Sequence, residues 1–182
     1  MLEIAKNILV IENFLTSEEC INYIEYSEYL GYQAADVDVH GVRKQIKEIR
    51  TNERADIESQ NTADDLWEKL KHYQLPETEL GKAVGLSPFI RFYRYSGQQK
   101  FNMHKDGIKR HQGFESRYTM IVYLNTILEG GETAFRTNDL EIKPKEGHCL
   151  LFAHELWHTG KPVTCDETKY VLRTDVFYKT SQ

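Results

Sequence analysis

The chain has 182 residues, 40% hydrophobic and 28% charged, a size and balance that suit one soluble domain with a single sizeable core. Its net charge of -5 argues against a general nucleic-acid or membrane-surface binder, and no apolar run approaches the ~18 residues that span a bilayer. Cys20, Cys149 and Cys165 are too few and too far apart for a disulfide framework or a cysteine-built zinc site. Glu3, Lys6 and Glu12 interrupt the apolar N-terminus, unlike a signal peptide, so the expectation is a cytoplasmic protein with reduced thiols.

In chain order, Ile8 to Ile11 reads as a short strand. Thr16 or Ser17 then caps a helix reaching about Leu30, with Glu18 and Glu19 favourable in its first turn. Residues 31–60 are polar and give no assignment. Thr62 caps a second helix, with Ala63, Leu66, Leu70 and Tyr73 at helical spacing, and Pro76 ends it. From Ser87 onward, apolar and aromatic runs alternate with Gly, Asn and Asp. The strand candidates are Phe89–Tyr95, Tyr118–Leu124, Glu132–Phe135, Cys149–Ala153 and Tyr170–Tyr178. Strands this short and this frequent predict a barrel or sandwich with two N-terminal helices packed against it. Charge is uneven: residues 91–111 carry six Lys and Arg against Asp106 alone. That stretch is either a solvated basic face or a binding surface.

The residues that carry chemistry are His104-Lys105-Asp106 and a distal histidine. In an extended segment residues i and i+2 share a side, so His104 and Asp106 can hold one ion together. His158 is the candidate third ligand, and His154 competes with it. Two imidazoles and one carboxylate leave positions open on a metal, the pattern of non-haem iron(II) oxygenases. The alternative is a surface histidine hydrogen-bonded to a neighbouring aspartate. His40, His72, His111 and His148 are read as non-ligands.

Four blocks then occur in order: FIRFYRYSGQQKFNMHKDG, SRYTMIVYLNTILEGGETAF, PKEGHCLLFAHELWHTGKPV and KYVLRTDVFY. With the opening VIENFLTSEEC, they resemble the iron(II)/2-oxoglutarate-dependent dioxygenases of the prolyl 4-hydroxylase-like family, over about half the chain. The resemblance implies a mainly β fold with flanking α: a double-stranded β-helix (jelly-roll) core over residues 86–182, with residues 1–85 as a helical support, all in one domain. It implies iron(II) on His104, Asp106 and His158, since His158 is followed by Gly160 and Pro162-Val163 as the family's distal histidine is. It implies 2-oxoglutarate as co-substrate, O2 as oxidant and ascorbate as reductant. Lys169 matches the cation that meets the far carboxylate of 2-oxoglutarate, one residue later than usual, and Arg173, four residues on, is the alternative. Tyr95 and Tyr123 match co-substrate-pocket positions, with core packing as the plain alternative for each, and Thr119 lies on the same strand face as Tyr123 as a further pocket candidate. Gly130 and Gly131 are read as turn residues.

The implied reaction couples decarboxylation of 2-oxoglutarate to hydroxylation of a protein or peptide residue such as proline. Arg50 or Arg54 is expected to touch substrate, against a surface salt-bridge face. Three other readings compete. One is the same chemistry on a small molecule or a nucleobase in nucleic acid. Another is an inert jelly-roll used for binding. The last is a zinc hydrolase on two His and one Asp, which leaves Lys169, Tyr95 and Tyr123 unexplained.

Overall fold

Side-chain alternation along a few long strands divides this molecule into an outer apolar layer and an inner chamber. The computed structural model describes residues 1–39, 42–44, 46 and 50–180, so the reading of His40 lies outside the described residues. Strands β1 (Leu2–Ala5) and β2 (Ile8–Ile11) precede helix α1 (Ser17–Leu30). Strand β3 (Glu53–Glu58) and helix α2 (Gln60–Leu70) follow. Next come β4 (Ala83–Leu86), β5 (Phe89–Tyr95), β6 (Phe101–His104) and β7 (Phe114–Tyr123). The chain closes with β8 (Thr133–Phe135), β9 (Glu141–Ile142), β10 (Cys149–Ala153), β11 (His158–Gly160) and β12 (Lys169–Lys179).

The major sheet runs β1-β2-β10-β7-β12-β5-β3, with β4 also paired to β12 and two-residue strands paired to β3 and β7. The minor sheet runs β9-β8-β11-β6. All of these pairings are antiparallel. Two antiparallel sheets face to face, with helices outside one of them, are the jelly-roll architecture expected from the sequence. Residues 1–85 supply strands β1 to β4 as well as both helices, so this half builds part of the major sheet.

Because side chains alternate, each strand of the major sheet serves two cores. Met120 and Val122 of β7, Ile90 and Phe92 of β5, and Leu172 and Val176 of β12 are buried on the helix side with Cys20, Ala63, Leu66 and Leu70. Each large apolar side chain buried there contributes about 1.5–3 kcal/mol. The alternate residues Ile121 and Tyr123, Tyr93 and Tyr95, and Val171 meet Leu150, Phe152 and Phe135 between the sheets.

Helix α1 starts where its cap dictates. Thr16 Oγ1 accepts from Glu19 N, and the Glu19 carboxylate accepts from Thr16 N, which satisfies two otherwise unpaired N–H groups. Arg94, on the outer face of β5, ties the helix down by binding Glu28 and Glu53. Helix α2 departs from expectation. Its cap is Ser59, whose hydroxyl accepts from Thr62 N at 3.2 Å, so Thr62 lies inside the first turn. The helix ends at Leu70, well before Pro76.

Candidate active site

His104 ends β6 and His158 begins β11, and the two residues are directly opposite in register. Cross-strand pairing therefore brings together side chains 54 positions apart in the chain. Their ring centroids are 4.2 Å apart. Asp106, two residues beyond His104, completes the cluster: Oδ1 lies 3.8 Å from His104 Nε2 and Oδ2 lies 3.7 Å from His158 Nε2. The three ligand atoms are within 4.8 Å of one another.

Both imidazoles are prepared in the same way. His104 Nδ1 donates to Asn102 O at 2.8 Å, and His158 Nδ1 donates to Leu156 O at 3.0 Å. Each bond fixes the tautomer and leaves the Nε2 lone pair facing Asp106. Burial lowers the His104 pKa to about 4, with His158 adding to the effect, and burial also lowers that of His158. Neutral imidazoles beside an ionised carboxylate are the donor set a divalent metal needs. Burial alone would raise the Asp106 pKa, but Arg173, His158 and His104 hold it well below the carboxylate range. Phe101 stacks on His104 with centroids 3.6 Å apart, and Phe152 lies 4.5 Å from the His158 ring.

The triad opens into a chamber between the sheets, lined among others by Tyr93, Tyr95, Thr133, Lys169 and Arg173. Lys169 lies deepest in its chemistry: it is 2% exposed and makes no ion pair among the described residues. Its Nζ donates to Gly131 O at 2.6 Å and sits 5.0 Å and 5.5 Å from the rings of Tyr95 and Tyr123. Burial drives its pKa down to about 7, opposed by Glu132. Gly130 and Gly131 have φ of 75° and 71°, as turn residues do, and the carbonyl of Gly131 is also the Lys169 acceptor.

Arg173 is placed differently. It shares the inward face of β12 with Lys169, yet its Nη2 is 2.9 Å from Asp175 Oδ1 and 3.3 Å from Asp106 Oδ1. Two carboxylates already compensate this cation, while Lys169 makes no ion pair among the described residues and is favoured only by the more distant Glu132. Thr119 donates to Asp106 Oδ2 at 2.5 Å, so its hydroxyl orients the candidate metal-binding carboxylate. Tyr123 donates to Thr133 Oγ1 at 2.8 Å, which makes Thr133 a chamber-lining hydroxyl that no sequence pattern marked. Tyr95 lines the chamber beside Gly160. His154 stays outside the triad: it is 5% exposed, with Nε2 3.2 Å from Asp175 Oδ1 and no aligned hydrogen bond at either ring nitrogen. His72, His111 and His148 do not join the cluster either.

The two substrate candidates separate. Arg54 is closed off by Asp36 at 2.9 Å and Asp56 at 2.8 Å. Arg50 is 6% exposed, with its guanidinium carbon 4.5 Å over Tyr93 and 4.3 Å over Phe101. Its Nε donates to Asn52 Oδ1 at 2.6 Å, and its Nη2 is buried with no hydrogen-bond partner among the described residues.

Residues 90–174, which hold every member of the triad and both inner cations, match the 2OG-Fe(II) oxygenase superfamily. The chain is 25% identical to prolyl 4-hydroxylase 2 of Arabidopsis thaliana over 170 residues, covering 79% of this chain and 55% of the relative. The chain thus spans about half the length of that curated protein. Its fold is similar to the viral collagen prolyl hydroxylase of Paramecium bursaria Chlorella virus-1, with a TM-score of 0.65, 21% identity and coverage of 96% of this chain and 97% of that one. It is also similar to the Trichoplax adhaerens prolyl hydroxylase solved with a hypoxia inducible factor peptide, with a TM-score of 0.69, 18% identity and coverage of 94% and 84%. The family match, the curated relative and the two folds agree in a similarity to 2OG-Fe(II) oxygenases of the prolyl 4-hydroxylase-like kind. Among the described residues no helix is long and apolar enough to cross a membrane.

Proposed function

We propose that the chain is an iron(II)- and 2-oxoglutarate-dependent dioxygenase that hydroxylates a residue, such as proline, in a protein or peptide. One observation carries the reading. Two tautomer-fixed imidazoles and an ionised carboxylate converge at one end of a chamber that also holds a buried, uncompensated lysine. A co-substrate that chelates a metal at one end and presents a carboxylate at the other answers both halves of that arrangement.

His104, Asp106 and His158 hold the iron in this reading. Iron(II) held there would supply the oxidative chemistry that couples decarboxylation of 2-oxoglutarate to succinate and CO2 with oxygen insertion into a substrate C–H bond. The chain supplies orientation and a dry site. Lys169 receives the far carboxylate, with the Tyr123–Thr133 hydroxyl pair and Tyr95 beside it. Thr119 and Arg173 keep the Asp106 carboxylate ionised and oriented. Phe101, Ile121, Phe152 and Val171 exclude water from the chamber. Arg50, with its free Nη2 at the edge of Tyr93 and Phe101, contacts substrate through a carbonyl or carboxylate oxygen. Ascorbate serves as reductant, and the whole chain acts as one domain in the cytoplasm.

The test is succinate formation from 2-oxoglutarate under air with iron(II) and ascorbate, with and without proline-containing peptides. Iron-dependent turnover accelerated by a peptide, with a 16 Da gain on that peptide, is the expected result. Failure of the loaded protein to turn over 2-oxoglutarate under any condition would remove the reading.

A further inference from the structure

Arg91 and Arg173 are directly opposite one another on β5 and β12, on the inward face that carries Tyr93 and Val171. Like charges in that position repel at Cβ separations of about 5 Å unless something neutralises them. Arg173 has Asp106 and Asp175. Arg91 makes no ion pair among the described residues. Asp56, its partner on the other side in register, is engaged by Arg54 at 2.8 Å.

Two more cations converge on the same end of the barrel. Lys109 is held over it by a double backbone anchor: its N–H donates to Ser116 Oγ at 2.8 Å, and its carbonyl accepts from Ser116 N at 2.9 Å. Its burial and the nearby Arg91 push its ammonium below the ordinary range, with Asp175 opposing. Arg50 covers Tyr93 from the other side, with its buried Nη2 unpartnered. The excess is felt by Tyr93. Burial should raise its pKa, but Arg173, Arg50 and Arg91 together bring it down to about 8. Four cations face Asp106 and Asp175, and these carboxylates are already committed to Arg173 and the triad.

We propose that Arg91 and Lys109, with Arg50, form a recognition site for acidic side chains of the substrate, so that the peptide oxidised here carries Asp or Glu close to the target residue. This rests on the peptide-hydroxylase reading above and adds its sequence preference. A substrate carboxylate between Arg91 and Lys109 removes the Arg91–Arg173 repulsion and satisfies donors that the protein leaves unpaired. The charge also favours encounter, since a cationic mouth at the end of a chamber draws in anionic chains.

The experiment measures 2-oxoglutarate turnover by the whole chain with three peptides that share a central proline and differ only in acidic, neutral or basic flanks. The acidic peptide should show a KM roughly tenfold below the neutral one at low ionic strength, with the gap narrowing in salt. Arg91→Gln should raise the KM of the acidic peptide roughly tenfold, so that it converges on the neutral peptide. Lys109→Gln tests the same site if Arg91→Gln melts early. Equal stimulation by all three peptides would overturn the acid preference and leave the peptide reading standing. Stimulation by none of them would remove the peptide reading and this proposal with it. A KM shift of equal size for acidic and neutral peptides in Arg91→Gln would overturn the assigned site.

Discussion

The guanidinium of Arg173 reaches Asp106, with Nη2 3.3 Å from Oδ1, and at the same time grips Asp175 at 2.9 Å. Arg173 and Asp175 are buried, and the Asp106 side chain is 13% exposed. Arg173→Ala leaves two buried carboxylates without their cation, a change that costs about 3–5 kcal/mol. Chemical denaturation should show that loss, and titration with cobalt(II) or iron(II) should show weaker metal binding. Loss confined to the KM for 2-oxoglutarate, with stability intact, would assign Arg173 and not Lys169 to the co-substrate.

His104→Ala and Asp106→Ala should each abolish iron-dependent succinate formation, because two ligands in a partly open site hold the metal poorly. His154→Gln should retain metal binding, since this ring faces Asp175 and not the triad. Metal lost from His154→Gln and retained by His158→Gln would exchange their roles.

Lys169 gives the enzyme a pH signature. Its pKa of about 7 in the free protein lies below the ordinary lysine value, because burial disfavours the ammonium. The unfolded chain therefore binds more protons between about pH 7 and the ordinary lysine range, and stability without co-substrate rises as pH rises through that window. Binding of 2-oxoglutarate reverses the preference, since the far carboxylate needs the ammonium. At pH 8 binding should take up a proton, and affinity should weaken as pH climbs further. Calorimetry in two buffers of different ionisation enthalpy reads this directly. Identical heats in both would remove Lys169 as the carboxylate partner.

A methyl group at position 130 is a sharp structural probe. Its Cβ would lie 2.4 Å from the backbone oxygen of Pro162, at a φ of 75°. Gly130→Ala should destabilise the fold by about 1–3 kcal/mol. It should also raise the KM for 2-oxoglutarate, because Gly131 next door holds Lys169. Gly131→Ala, where the Cβ meets only side chains at 3.4 Å, should be the milder of the two as measured by thermal melting.

Much of this architecture was legible because burial imposes period two. Phe89–Tyr95 and Cys149–Ala153 are strands over the expected residues, and Thr16 caps α1 through its own hydroxyl. Strand β3 is illegible in the sequence because only Ala55 on it is buried, and four of its six residues are charged. The α2 cap is ambiguous in sequence because both Ser59 and Thr62 are suitable residue types, and only geometry shows which hydroxyl faces a free N–H. The site was legible where its spacing is local, as in His104 and Asp106. Its supports were not. Thr133 on Tyr123, Thr119 on Asp106 and Asp175 on Arg173 are contacts made across or within sheets by ordinary residue types.

Strand β12 carries Lys169 and Arg173 on one face, and at roughly 3.3 Å per residue their Cα atoms stand about 13 Å apart. One cation marks the floor of the chamber and the other marks the metal carboxylate. The strand therefore works as a ruler for whatever dicarboxylate lies along it. A diacid one carbon shorter than 2-oxoglutarate, engaged at the metal end, would stop short of Lys169 and leave it a bare charge. On the proposed assignment, the backbone register of a single strand sets which co-substrate length fits.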